Sequence, residues 1–303
     1  MDNSKLIQKI QQLKRKRNAV ILAHNYQIGE VQDIADYIGD SLGLSRTASK
    51  TNADVIVFCG VRFMAETASI LCPDKLVLMP DIKAGCPMAD MITRNELKIL
   101  KKEHPKATVV AYVNTSAEVK AEIDICCTSG NAVKVIESLK DASEIIFVPD
   151  KYLGHYVSTK VNRDLILWDG YCPVHAKILP EDIARQRKAH PEAKVIVHPE
   201  CPPQVIQLAD EALSTSGMCE YAKLSGASEI IVGTEPGMLH RLRKENPGKK
   251  FYPLSNQAIC TDMKLTTLEK VLWCLENMKY EVKVHEDIQI SAKRAVDRML
   301  EVL

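Results

Sequence analysis

Short runs of apolar, largely β-branched residues alternate with longer amphipathic stretches along the chain. Three of these runs end in a polar cluster and lead into a helical pattern, at residues 19–26, 108–114 and 194–200. Uninterrupted apolar runs of this length are typical of strands that are buried on both faces of a parallel sheet. The alternation of strand and helix therefore predicts an α/β fold.

Further elements follow each of these three strands in the same order. Groups of hydroxyl residues and glycine precede helical stretches at residues 40–43, 128–131 and 215–217, where they are expected to cap helix N-termini. A second strand is predicted at residues 54–58, 144–148 and 229–232, and a third at residues 75–79, 164–168 and 250–254. A cysteine follows each third strand, and these cysteines are Cys86, Cys172 and Cys260.

The spacing of these features is nearly constant. Intervals of 88 and 86 residues, in either order, separate the members of three sets: His24, Tyr112 and His198; Ser41, Ser129 and Thr215; and Cys86, Cys172 and Cys260. This repetition predicts three homologous three-layer αβα units with short, mostly parallel sheets, at residues 1–88, 89–174 and 175–303.

The arrangement of the units follows from where parallel sheets bind ligands. Ligands bind outside the carboxyl ends of the strands, and the polar clusters and cysteines all follow strand ends. The units are therefore expected to surround one central cavity with pseudo-threefold symmetry. Two more helices, at residues 265–278 and 288–302, are expected to close the third unit and pack back across the others.

Composition excludes several classes of function. The chain has 303 residues, of which 46% are hydrophobic and 26% charged, as in ordinary globular proteins. Forty basic residues balance thirty-nine acidic ones, so nothing indicates a nucleic-acid or anionic-membrane partner. No stretch reaches the roughly 18 apolar residues of a membrane span, and residues 1–18 are too polar for a signal peptide. We therefore expect a cytoplasmic protein.

Ten cysteines are many for such a chain, and without a signal peptide a disulfide framework is not expected. Three thiolates at equivalent places in three repeats would repel one another without a cation, which indicates a metal site. Thiolates suit iron–sulfur clusters and zinc, but structural zinc usually has four protein ligands. We therefore expect Cys86, Cys172 and Cys260 to hold one iron–sulfur cluster, in which an iron without a protein ligand could act as a Lewis acid. Cys59, Cys72 and Cys274 are interpreted as core. Cys201 and Cys219 are interpreted as core or pocket wall, with a ligand role as the alternative, and Cys126 and Cys127 receive no predicted role.

Polar side chains at the strand ends form a second candidate set: His24, Asn25, Tyr26, Tyr112, Asn114, His198 and Glu200. Singly, each has a structural explanation, but together they supply acid–base groups and donors for a carboxylate. The hydroxyls of Ser41, Ser129, Thr215 and Ser216 stand at predicted helix N-termini. They could bind carboxylate or phosphate, or could serve as caps alone.

Eight segments that carry these residues resemble the quinolinate synthase family. They are residues 23–26, 39–41, 85–89, 112–115, 127–131, 170–175, 198–201 and 214–218, and they extend over residues 20–265 or so. The resemblance implies an enzyme of de novo NAD biosynthesis that condenses iminoaspartate (iminosuccinate) with dihydroxyacetone phosphate to give quinolinate, phosphate and water. It also implies a 4Fe–4S cluster on the three cysteines, with the open iron acting as a Lewis acid for dehydration.

Residue roles are carried over by position. The family pattern implies that substrate is bound by His24, Ser41, Tyr112, Val113, Asn114, Ser129, His198, Pro199, Glu200 and Thr215. Tyr26, His198 and Glu200 are expected to transfer protons. The expected partners are the two small-molecule substrates and, functionally, the enzyme that makes iminoaspartate, with no nucleic acid and no membrane.

Two other functions fit part of the pattern. Another iron–sulfur hydro-lyase would act on a small di- or tricarboxylic acid. A non-enzymatic iron–sulfur redox sensor would keep its thiolates near the surface and would need no ring of acid–base groups. The polar strand ends favour an enzyme.

Overall fold

The structure, a computed structural model, describes residues 2–302. The first repeat contains α1 (Asn3–Lys16), β1 (Ala19–His24), α2 (Gly29–Ile34), β2 (Tyr37–Gly39), α3 (Ser41–Lys50), β3 (Val55–Cys59), α4 (Arg62–Leu71) and β4 (Leu76–Leu78). The second contains α5 (Arg94–Glu103), β5 (Ala107–Tyr112), α6 (Ala117–Lys120), β6 (Ile125–Cys127), α7 (Ala132–Ser138), β7 (Glu144–Val148), α8 (Lys151–Val161) and β8 (Ile166–Leu167).

The third repeat has the same order of elements. It contains α9 (Pro180–Ala189), β9 (Lys194–Val197), α10 (Pro203–Leu208), β10 (Glu211–Ala212), α11 (Thr215–Leu224), β11 (Glu229–Gly233), α12 (Met238–Glu245) and β12 (Lys250–Pro253). Two helices follow, α13 (Leu268–Asn277) and α14 (Glu286–Glu301). Short 3-10 turns at Ala89–Met91, His175–Lys177 and Asp262–Lys264 come just after the three predicted metal-site cysteines.

Three four-stranded parallel sheets form the framework. Their strand orders are β2-β1-β3-β4, β6-β5-β7-β8 and β10-β9-β11-β12, and every pairing within them is parallel. The predicted α/β fold with three αβα units is thus confirmed. The edge strands β2, β6 and β10 were not predicted, because two or three residues are too few to show a period. The unit boundaries at residues 88 and 174 and the threefold arrangement remain predictions.

One hydrogen bond recurs in all three units. Asp36 accepts from the backbone N–H of Ile21, and the same contact joins Asp124 to Val109 and Asp210 to Val195, each at 2.8 Å. In every case the carboxylate lies 15 residues after the strand residue it contacts. A repeated side-chain contact of this kind supports homology of the units beyond their shared strand order.

The two C-terminal helices pack mainly on the first two units. Leu6 and Ile10 of α1 share a core with Val271 and Leu275 of α13 over the first sheet. Helix α14 packs against α4, α6 and β6. The helices were expected to close the third unit as well as cross the others, whereas α13 instead covers apolar surface beside α1. Within residues 2–302, no helix combines the length and apolar character needed to cross a membrane.

The predicted capping role of the hydroxyl groups is wrong in detail. Asp40 caps α3 and Ser214 caps α11, each by accepting a backbone N–H of the following turn. Ser41 and Thr215 are therefore the first residues inside their helices, and their hydroxyls are not used in capping. These hydroxyls stay available to the cavity described below.

Candidate active site

One cavity of about 180 Å³ is lined by residues at the carboxyl ends of strands from all three repeats. The three sets that repeat in the sequence all line it: His24, Tyr112 and His198; Ser41, Ser129 and Thr215; and Cys86, Cys172 and Cys260. Tyr26, Asn114 and Glu200 line it too. Its apolar wall is formed largely by Val61, Phe63, Met64 and Met88, which exclude water from one side.

The three cavity cysteines are free thiols that burial keeps neutral. Burial raises the pKa of the Cys86 thiol to about 12, and it raises the pKa of Cys172 and Cys260 as well. Charge on a neighbouring sulfur adds to the effect, since Cys260 raises the pKa of Cys86 and Cys86 raises that of Cys172. Three adjacent thiolates therefore need a positive centre, which suits iron–sulfur or zinc binding.

The local backbone is also suited to thiolates. The N–H groups of Ala89, His175 and Met263, each three residues after its cysteine, donate to the sulfur and thereby lower the pKa that burial raises. The 3-10 turns after the cysteines produce this arrangement in all three repeats. N–H···S hydrogen bonds stabilise charge on cluster sulfurs, so the donor set fits the predicted iron–sulfur site.

A second set of metal-ligating atoms lies beside Cys172. Its sulfur, an imidazole nitrogen of His175 and a carboxylate oxygen of Glu200 lie within 4.8 Å of one another. However, Nδ1 of His175 is only 2.7 Å from Oε2 of Glu200. Two ligands of one tetrahedral zinc ion would be roughly 3.3 Å apart, given bonds of about 2.0–2.1 Å. The His175–Glu200 contact is therefore a hydrogen bond, and this set does not have the geometry of a metal site.

A chain of hydrogen bonds runs along the cavity wall through five side chains. The Tyr26 hydroxyl lies 2.6 Å from Oγ1 of Thr234, which lies 2.8 Å from Nε2 of His175. Nδ1 of His175 contacts Glu200, whose other oxygen accepts from the Tyr112 hydroxyl at 2.6 Å. All five residues are buried, so the chain is shielded from solvent.

Electrostatics keep Glu200 ionised and the tyrosines protonated. Burial alone would raise the pKa of Glu200, but His175, His198 and Tyr112 outweigh it and hold that pKa well below its usual range. Burial and the Glu200 charge raise the pKa of Tyr26 and Tyr112 well above the ordinary value. The cavity thus contains one buried carboxylate that only accepts hydrogen bonds and two phenols that can donate.

His24 and His198 occupy equivalent positions and have equivalent geometry. Nδ1 of each ring accepts the backbone N–H two residues later, at 3.2 Å from Tyr26 and 3.3 Å from Glu200. Burial lowers the pKa of His24 to about 4 and that of His198 to about 3, so both rings are neutral. The proton of each ring is then on Nε2. Nε2 of His198 lies 3.2 Å from Oγ of Ser129.

Of the remaining residues predicted for the site, one lines the cavity and the others do not. Oδ1 of Asn114, which lines the cavity, is buried and has no hydrogen-bond partner within residues 2–302. Asn25 has a structural role instead, since it bonds to Thr215 and Arg241. Val113 and Pro199 are buried beside cavity residues but do not line the cavity themselves.

Sequence reasoning gave no catalytic or binding role to several residues of the site, among them Asp40, His175, Lys177 and Thr234. His175 follows Cys172 by three residues, and this proximity to a proposed ligand was an available signal. Thr234 follows the end of β11, where the equivalent positions of the other repeats hold Gly60 and Pro149. A polar residue at only one of three equivalent strand ends was the signal for Thr234.

Comparison with known proteins gives one consistent result. A family described as Quinolinate synthetase A protein matches residues 8–301. The chain is 59% identical to a quinolinate synthase of Dehalococcoides mccartyi over 295 residues, which is 97% of each chain. It is 55% identical to those of Methanosarcina barkeri, over 302 residues, and Thermodesulfovibrio yellowstonii, over 301, with at least 99% of each chain covered.

Proposed function

The chain belongs to the Quinolinate synthetase A protein family of enzymes, and from this premise we propose that it condenses iminoaspartate with dihydroxyacetone phosphate to give quinolinate, phosphate and water. One observation carries the proposal: the same cavity is lined by the three cysteines, the neutral rings of His24 and His198, the Glu200 carboxylate and the phenols of Tyr26 and Tyr112. The donors suit a dicarboxylate substrate, and the carboxylate and phenols suit the proton transfers of a condensation.

We propose that Cys86, Cys172 and Cys260 hold a 4Fe–4S cluster. When bound, this cluster would supply Lewis-acid chemistry for dehydration through an iron that has no protein ligand. The thiol environment supports this assignment, because the three sulfurs share one cavity and each receives a backbone N–H.

Different side chains of the cavity would bind different groups of the substrate. Nε2–H of His24 and of His198 would donate to substrate carboxylates, together with the hydroxyls of Ser41, Ser129 and Thr215. Oδ1 of Asn114 would accept the N–H of the imine, which would satisfy its buried, unpartnered oxygen. The low dielectric of the cavity strengthens each of these contacts.

Proton transfer is assigned to Tyr26, His198 and Glu200, as expected from the sequence. Glu200 is the one buried anion of this group, and the Tyr112 hydroxyl and the His175 ring orient both of its oxygens. Because the neighbours of this carboxylate hold its pKa low, it would accept a proton only from a strongly acidic position, and it is also suited to stabilise positive charge that develops beside it.

The test is an anaerobic purification with iron and sulfide assays, followed by quinolinate measurement with both substrates. About four irons and four sulfides per chain, with quinolinate formed only when both substrates are present, are expected. Zinc without sulfide would contradict the cluster. A full cluster with no quinolinate would contradict the condensation and favour a hydro-lyase or a sensor.

We further propose that the enzyme acts in the cytoplasm and receives iminoaspartate from the enzyme that makes it. Imines hydrolyse in water, so a supply at the point of use would preserve the substrate. Coupling the two enzymes should raise the yield of quinolinate over that from iminoaspartate generated in advance, and an equal yield would contradict the link.

A further inference from the structure

Lys120 is a fully buried lysine without an ion pair. Its side chain is 0% exposed, and its ammonium donates to the backbone carbonyl of Thr115 and lies over the Phe63 ring, 5.5 Å from the centroid. Within residues 2–302, no carboxylate lies close enough to pair with it. Lysine is almost never fully buried unless it is paired, because desolvation of an ammonium costs free energy. The burial of this charge therefore needs an explanation.

The first repeat shows that the backbone contact of Lys120 does not need a charge. Gln32 stands 88 positions before Lys120, in the short helix that follows the first strand of its repeat. Its side-chain amide donates to the carbonyl of Gln27 at 2.8 Å, just as Lys120 donates to Thr115, and these two acceptors are also 88 positions apart. The third repeat has Ile206 at the equivalent position. A neutral amide is therefore sufficient for the contact, and the charge of Lys120 has another cause.

The neighbours of Lys120 leave one candidate for the partner of this charge. Burial lowers the pKa of Lys120, whereas negative charge on Cys126, Glu66 or Cys86 would raise it. Cys126 is neutral, because burial raises the pKa of its thiol to about 12. Glu66 already forms an ion pair with Arg62 at 3.1 Å. Cys86 is the group that gains a permanent negative charge when metal binds, since a metal-bound cysteine is a thiolate.

The position of Lys120 suits an action on the cysteine site from behind the cavity wall. Lys120 does not line the cavity, but Phe63 lines it together with Cys86, and the ammonium lies over the Phe63 ring. Only buried side chains surround this region, so water screens the charge poorly. In such a medium of low dielectric, a cation acts on a neighbouring anionic site without touching it.

We propose that Lys120 is the buried counter-charge of the three-cysteine site, and that it increases the affinity of this site for its metal centre and raises the reduction potential of a bound cluster. A 4Fe–4S core on three thiolates has a net negative charge, and reduction adds to it, so a nearby cation favours both binding and the reduced form. Lys120 is not a catalytic residue, because it does not reach the cavity. The inference rests on the proposed function in one respect, namely that the three cysteines bind a metal centre.

The first test needs no cluster, because Co²⁺ alone serves as the probe of the three thiolates. It is titrated into the metal-free, full-length chain and followed by its thiolate absorption band. Lys120→Gln copies the side chain of the first repeat, so it keeps a donor for Thr115 and removes the charge. This variant should bind Co²⁺ roughly 10- to 100-fold more weakly, the usual effect of a residue behind the ligands of a metal site. Lys134→Gln, exposed on α7, is the matched control and should bind like the wild type. Equal affinities of Lys120→Gln and the wild type would overturn the proposal, and so would a wild type that binds no metal.

The stability of the metal-free chain separates a counter-charge from a lysine that serves the fold. Without metal, the charge of Lys120 has no buried partner, and its replacement by a neutral group that keeps the backbone contact removes a desolvation cost. Lys120→Gln should therefore not lower the urea midpoint of the metal-free chain. A lowered midpoint would assign the lysine to the fold and would overturn the proposal.

The last test uses the holoenzyme. An anaerobic redox titration, followed by the EPR signal of the reduced cluster, should give Lys120→Gln a more negative midpoint potential than the wild type, because loss of a cation disfavours the added electron. An equal or more positive potential would contradict the proposal. If metal affinity and potential change as expected but the wild type makes no quinolinate, the condensation fails and the role of Lys120 stands.

Discussion

The hydroxyl of Tyr112 donates a hydrogen bond to Oε1 of Glu200 across 2.6 Å, although the two residues are 88 positions apart in the chain. Tyr112 ends strand β5 of the second repeat, and Glu200 lies just beyond strand β9 of the third. The contact therefore joins two homologous units at the point where their strands open into the cavity. Nδ1 of His175 contacts the other carboxylate oxygen of Glu200, so both oxygens of Glu200 have a hydrogen-bond partner.

This contact makes the charge of Glu200 the first target. Glu200→Gln keeps the shape but removes the only buried anion of the hydrogen-bond chain, and kcat should fall by about 10²–10⁴, the usual range for a general acid–base group. Tyr112→Phe should cost less, because it removes one hydrogen bond and leaves the carboxylate. Quinolinate formation at saturating substrates measures both effects.

The control for that series is Glu192→Gln, on an exposed loop before β9, which should retain full activity. Iron content must be equal in all four proteins for the comparison to hold. Normal turnover by Glu200→Gln with an intact cluster would remove Glu200 from the proton-transfer assignment.

Substitution of the cavity cysteines tests the proposed cluster. Cys86→Ser, Cys172→Ser and Cys260→Ser should each reduce bound iron well below the expected four per chain, because a serine oxygen is a harder and less acidic ligand. Cys219→Ser is the matched control, since Cys219 is also partly exposed but lies outside the cavity. Iron and sulfide assays after anaerobic purification measure the effect. Full iron loading of the Cys260→Ser variant would contradict the three-ligand assignment.

Much of the fold and site could be predicted because the chain repeats. His24, Tyr112 and His198 lie at the ends of equivalent strands, so their nearly equal spacing was enough to predict that they share one cavity. The same argument selected three cysteines from ten without any short motif. Because the unit repeats, equivalent positions of the three units can be compared with one another. A residue type that recurs at three strand ends is hard to explain by local packing alone.

The remainder of the site depends on contacts that spacing cannot reveal. Thr234 meets Tyr26 across 208 positions and His175 across 59, and neither interval matches the repeat. The helix caps show that sequence can also fail for a local contact. Asp40 and Ser214 cap their helices, and each stands one residue before the hydroxyl that was predicted for that role. Propensity identifies which residue types cap helices, but only the backbone geometry decides between neighbours.

The repeated aspartate contact predicts a dependence of stability on pH. Burial raises the pKa of Asp210, but the N–H of Val195 and the charges of Lys194 and Arg187 outweigh it and lower the pKa below its usual value. A depressed folded-state pKa stabilises the fold above the unfolded value of about 3.9. This stabilisation is lost as the pH falls through the folded pKa.

Asp210→Ala should therefore lower the free energy of unfolding by about 0.5–1.5 kcal/mol at pH 7, the value of one hydrogen bond. The difference from wild type should shrink as the pH falls below about 4. Urea unfolding of the full chain at several pH values measures this, with the exposed Asp141→Ala as control. A difference that grows toward acid would contradict the assigned sign.

Lys177 is the last target, because it is the one lysine among the described residues that line the cavity, and it is exposed at the edge of the cavity. Dihydroxyacetone phosphate carries a phosphate dianion, whereas the buried donors suit the dicarboxylate. Lys177→Gln should therefore raise the KM for dihydroxyacetone phosphate by roughly three- to tenfold, the effect of about 1 kcal/mol from a solvent-exposed charge. The KM for iminoaspartate should stay the same, and the difference should diminish in high salt because exposed charges are screened. Lys188→Gln, exposed on α9 and outside the cavity, is the control. Equal increases in both KM values would mean that Lys177 shapes the entrance and does not recognise the phosphate.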